Sequence, residues 1–132
     1  MAVWSLEQAL VAVFYSAASV DGDVDERERE EILAFERRSR TLRGLKPEEL
    51  KAVNRDVVDR LRYGEGSLAA ACATLPAELR LAVFAQALDI LLADGELKDT
   101  EADFVNTLIL ELKLDGQDVE EIAEVLAIKN SV

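Results

Sequence analysis

The stretch Val20-Asp21-Gly22-Asp23-Val24-Asp25-Glu26-Arg27-Glu28 returns, with substitutions, as Ala93-Asp94-Gly95-Glu96-Leu97-Lys98-Asp99-Thr100-Glu101, at an offset of 73 residues. Both copies read Asp-Gly-acid-apolar-x-x-x-Glu, and each lies between two segments of helical spacing. Glycine in the second place suits the left-handed backbone that commonly ends a helix, because it has no Cβ to clash. The apolar residue two places on, Val24 or Leu97, can tuck back under the turn. The pattern is a helix–acidic loop–helix junction, written twice.

The flanking segments keep the same register. Ala12 falls over Ala85, Ile32 over Val105 and Phe35 over Leu108; beyond them the offset becomes 69, with Leu45 over Leu114, Val53 over Ile122 and Val57 over Leu126. The first copy therefore carries four extra residues, in the region 40–44. No sustained two-residue alternation marks a strand, whereas three-to-four-residue apolar spacing runs throughout. The expectation is an all-α fold: a seven-helix bundle made of two pseudo-twofold-related three-helix repeats joined by a short helix. Residues 1–132 form a single domain, with repeat one at about 5–62, the linker helix at about 67–74 and repeat two at about 76–128.

Local signals place the helices. The first, behind Ser5, carries Leu6, Leu10, Val13, Phe14 and Ala17; the second begins near Asp25. Pro47, followed by Glu48 and Glu49, opens the third, where proline and acids both belong. A fourth, short helix follows the glycines of 63–67 and reaches about Thr74. The fifth, from Pro76 to about Ala93, is apolar on most sides and is therefore expected to be the central, most buried helix. The sixth carries Phe104, Val105, Leu108, Ile109 and Leu112, and the seventh, after Gly116, carries Val119, Ile122, Ala123 and Leu126. The tail 129–132 is expected to fray.

Composition narrows the function. The net charge is −12, from 27 acids against 15 bases. A protein that neutralises phosphates needs the opposite balance, so nucleic acid and anionic membrane surfaces are poor partners. With no histidine, Ser–His–Asp and Cys–His catalysis and histidine-based zinc sites are excluded. The one cysteine, Cys72, sits in a small-residue apolar stretch and reads as a core residue of a protein in a reducing compartment. No basic segment precedes an apolar one at the N-terminus, and no apolar run is long enough to span a bilayer. The expected location is the cytoplasm.

The loops carry the remaining chemistry. Against the twelve-residue EF-hand loop, Asp21 would take position 5, Gly22 position 6, Asp23 position 7, Asp25 position 9 and Glu28 position 12. The first half fails, since positions 1 and 3 would be Ala17 and Ser19, or Ile90 and Leu92 in the second copy. Each loop is half a site. Asp25 and Glu28 are also explained as a capping box, and Asp21 as a solvated helix end. In the second copy Lys98 replaces the capping acid, although Asp99 could cap one residue later. If the two loops face each other, Asp21, Glu28, Asp94 and Glu101 converge, with Asp23, Asp25 and Glu96 assisting from the rim. Carboxylates that close require a cation or bound protons. All-oxygen ligation points to a divalent Ca²⁺, Mg²⁺ or Mn²⁺. Asp89, the charge inside the apolar fifth helix, reads as a satisfied or exposed acid.

Two copies of an apolar helix ending in Ala/Val-Asp-Gly-acid-apolar, with glutamate four residues beyond, resemble the tellurite-resistance TerB family over roughly residues 6–128. The resemblance implies an all-helical fold of two similar halves and a role in bacterial stress and metal-resistance systems. It also implies metal binding at Asp21, Glu28, Asp94 and Glu101. A single cysteine gives little means of handling tellurite through sulfur. A non-enzymatic, cation-sensing interaction module with a protein partner, working beside a larger membrane-associated complex, fits better. Two alternatives stay open. One is a metal-free adaptor. The other is a Mg²⁺-dependent nucleotide hydrolase using the Glu28/Glu31 and Glu121/Glu124 pairs. The basic segment Arg37, Arg38, Arg40, Arg43 and Lys46 reads as a solvated helix end, or as a local docking patch for an acidic partner or a phosphate headgroup.

Overall fold

The computed structural model describes residues 3–22, 24–92 and 97–132. Among them are seven helices and no strand: α1 (Leu6–Ala18), α2 (Glu26–Arg38), α3 (Pro47–Arg62), α4 (Leu68–Thr74), α5 (Ala77–Leu92), α6 (Asp99–Leu112) and α7 (Gly116–Lys129). The starts are chemical. Ser5 and Asp25 each accept a hydrogen bond from the backbone N–H three residues on, and the Gln8 and Glu28 side chains in turn accept one from the cap's own N–H. Pro47 occupies the first turn of α3, and Asp115 caps α7 through the N–H of Gln117. Gly22 sits at a φ of +128°, the positive value that the loop pattern calls for. Val24 is buried against Ala18 and Ile32, closing the turn as its apolar character implies.

The core is organised around α1. This corrects the expectation that the fifth helix is central. Residues Ala9, Leu10, Val11, Ala12, Val13, Phe14, Ala17 and Ala18 are all buried, whereas α5 buries Val83, Phe84, Ala87, Leu88 and Leu91 and leaves Leu79, Leu81 and Ile90 only half-covered. Helix α1 packs against α3, α4 and α5. Its alanines let three neighbours approach at once, which bulkier side chains would prevent. Phe14 meets the ring of Phe35 edge-on, with centroids 4.3 Å apart. Leu42, in the segment with the extra residues, is fully buried and joins this core. The chain end is also held: Lys129 Nζ donates to Asp89 at 2.9 Å and Asn130 Nδ2 to the same carboxylate at 3.2 Å. This satisfies Asp89 and contradicts the frayed tail at those two residues.

A clasp fixes the start of α1. Trp4 is buried, donates its indole N–H to the carbonyl of Ser67 at 3.1 Å, and lies under the Arg60 guanidinium, 3.8 Å from the ring centroid. Gly66 lies close against the six-membered ring of the indole, and an added Cβ there would overlap it. The expected outcome of Gly66→Ala is therefore a loss of about 1–3 kcal/mol of stability, measured by urea unfolding followed by circular dichroism. A variant as stable as the parent would show that the clasp yields freely.

Candidate functional site

The end of α1, the start of α2, the end of α5 and the start of α6 enclose a cavity of about 230 Å³. Ala17, Ala18, Ile90 and Leu91 form its apolar wall. Asp21, Asp25, Glu28, Glu31 and Glu101 contribute carboxylates to the lining, and Arg27 and Lys98 contribute cations. Of the predicted ligands, Asp21, Glu28 and Glu101 thus share one cavity, with Asp25 beside them. Asp94, Asp23 and Glu96 lie outside the described residues.

Each carboxylate has a local task. Asp25 Oδ1 accepts from the Glu28 N–H at 2.8 Å, and Glu28 Oε1 accepts from the Asp25 N–H at 3.2 Å, the capping box expected for this helix. At the start of α6 only half of that box exists. Glu101 Oε1 accepts from the Lys98 N–H at 2.8 Å, but the ammonium of Lys98 has no lone pair to offer in return. Glu101 thereby has a structural role that its spacing from a lysine cap did not suggest, and it is buried in this role. The N-termini of α2 and α6 also carry the positive ends of their dipoles, which favours carboxylates there.

Asp21 joins the two loop regions. Its Oδ1 accepts from the Thr100 hydroxyl at 2.8 Å, and its Oδ2 from Lys98 Nζ at 3.3 Å. The Thr100 hydrogen bond, and after it the Lys98 bond, hold the Asp21 carboxyl below the usual aspartate range. Lys98 and Thr100 escaped the sequence reading as members of the site. Their only signal was the register that lays Lys98 over Asp25 and Thr100 over Arg27. With these carboxylates engaged, no group of three or more His, Cys, Asp or Glu side chains among the described residues is arranged to hold a metal ion.

The other candidates lie elsewhere. Glu31 pairs with Arg27 at 3.7 Å, while Glu121 lines a separate groove between α5 and α7 and Glu124 is exposed. Among the described residues, Glu28 and Glu31 thus line the acidic cavity and Glu121 the α5–α7 groove. Arg37, Arg38, Arg40, Arg43 and Lys46 are all exposed. Cys72 is fully buried, and burial pushes its thiol up to about 11, helped by the charge of Glu111. Almost no thiolate exists at neutral pH. No helix among the described residues is long and apolar enough to cross a membrane.

An all-helical domain with a carboxylate-lined cavity between two loop–helix junctions is the class that this geometry defines. A family model described as tellurite resistance protein TerB matches residues 7–124, and the chain belongs to the TerB family. No curated protein and no solved structure matches it.

Asp21 gives a pH signature. A carboxyl whose folded pKa is depressed stabilises the fold above its unfolded pKa, and that contribution is lost as pH falls through the folded value. Thr100→Val removes the largest cause of the depression. The variant should melt below the parent at pH 7, and the difference should vanish at pH values under the folded pKa of Asp21. Parallel melting curves at every pH would contradict the assignment.

Proposed function

We propose that this domain is a non-enzymatic, divalent-cation-binding or cation-sensing interaction module of a bacterial tellurite-resistance and stress system. It works in the cytoplasm with a protein partner, peripheral to a membrane complex. One observation carries the reading: Asp21, Glu28 and Glu101, drawn from two distant stretches of the chain, line a single cavity. Asp94 completes the ligand set in this proposal, with Asp23, Asp25 and Glu96 on its rim. Oxygen donors alone select Ca²⁺, Mg²⁺ or Mn²⁺. The inert thiol of Cys72 supports a role in sensing or assembly over sulfur chemistry on tellurium.

Internal duplication is part of the proposal, with repeat one at about 5–62, the linker helix at 67–74 and repeat two at about 76–128. The pairing of helices supports it. Helix α1 packs on α2 and α3, α5 packs on α6 and α7, and α1 and α5 pack on each other.

The metal-free adaptor is favoured by a different observation. Lys98 already neutralises Asp21, and Glu28 and Glu101 already cap their helices. The two readings separate on one variant. Glu101→Gln keeps an acceptor for the Lys98 N–H but removes the charge. If the cavity takes a cation, the parent should gain about 2.7 kcal/mol at a free-ion concentration about 100 times Kd, a rise of about ten degrees in Tm. Glu101→Gln should lose most of that rise and melt higher than the parent in chelator. A parent indifferent to Ca²⁺, Mg²⁺ and Mn²⁺, with a variant that melts lower in chelator, leaves the adaptor.

A further inference from the structure

Helix α2 has a second cavity on its other side. Between α2 and α3 runs a groove of about 300 Å³, sharing no lining residue with the acidic cavity. Val11, Ile32, Leu33 and Val58 give it an apolar lining, and Leu33 is 39% exposed. Arg29, Arg55 and Arg62 also line it and are exposed. Among the described residues none of these three arginines forms an ion pair, although the chain has 27 acids for 15 bases.

The second observation is independent of the arginines. Glu36, on α2, also lines the groove and is only 1% exposed. Its Oε1 accepts from Asn54 Nδ2 of α3 at 3.2 Å, while its Oε2 is buried with no hydrogen-bond partner among the described residues. A buried, unmatched carboxyl oxygen is rare because it costs free energy. Burial raises the Glu36 carboxyl above the usual glutamate range, against the opposing effect of the Asn54 hydrogen bond. An apolar floor, a buried carboxyl oxygen without a partner among the described residues and three exposed guanidinium groups meet at one groove.

We propose that the α2–α3 groove binds a small amphiphilic carboxylate, its apolar body against Ile32, Leu33 and Val58 and its charged head held by Arg29, Arg55 and Arg62. Guanidinium groups match a carboxylate with paired, charge-assisted hydrogen bonds. The volume lies at the small end of the range for small-molecule sites. This class of ligand has nothing in common with the hard cation proposed for the other cavity, and the two sites stand or fall separately.

Decanoate is the probe, titrated by calorimetry below its micellar concentration, with amide spectra of labelled protein to locate it. Saturable binding is expected, with shift changes confined to residues 11–15, 29–36 and 54–62. Decanol, with the same chain and no charge, should bind roughly tenfold more weakly or less, the value of one charge-assisted contact. Inorganic phosphate, a charge with no apolar body, should not bind in the same range. Arg55→Gln combined with Arg62→Gln should weaken decanoate by roughly tenfold or more and leave decanol unchanged. The proposal is overturned by absence of binding, by equal affinity for decanoate and decanol, by an unaffected double variant, or by shift changes that map to the α5–α7 groove.

Discussion

The narrowness of α1 is the constraint on which the bundle depends. Three helices press on it at once, and Ala9, Ala12 and Ala17 provide the room. Alanine is also the strongest helix former, so the residues that permit close approach favour the helix itself as well. The position of the acidic cavity follows. Helix α1 runs through the core and delivers Asp21 at its far end, against the start of α6, where Thr100 and Lys98 receive it. A bulkier residue at Ala12 would push its neighbours apart and shift Asp21 relative to those partners.

Helix ends were readable from the sequence because they are set by local chemistry. Ser5, Asp25 and Pro47 act within one turn, and all three mark the observed starts. Periodicity points to α5 rather than α1 as the central helix because it scores apolarity, not size. Leu79, Leu81 and Ile90 make α5 look apolar all round, yet they are half-buried, while the alanines of α1 are what a crowded position needs. Leu42 escaped notice for a related reason: a single leucine among arginines has no period. At the site, the repeat brought out Asp21, Glu28 and Glu101, which do share a cavity. The bonds from Lys98 and Thr100 to Asp21 are tertiary, and no local rule predicts which cation will meet which acid.

Helix α2 separates two chemical environments. One side presents carboxylates to the cavity shared with α1, α5 and α6; the other presents an apolar surface with arginines to the groove shared with α3. A net charge of −12 conceals this division. Charge in a small protein is better judged by the space that it faces than by its sum. The α2 N-terminus favours carboxylates on the first side, and the buried Glu36 joins α2 to α3 on the second.

The clasp around Trp4 has an optical consequence. The chain has one tryptophan, in contact with a guanidinium and packed close to Gly66 just before the start of α1. Asp21 lies past the other end of that helix, about 20 Å away at 1.5 Å per residue. The indole is therefore a beacon at the end of the bundle remote from the acidic cavity. Its emission is blind to purely local events among the carboxylates, and a change in colour or intensity on adding a solute would signal a rearrangement carried along the whole length of the central rod.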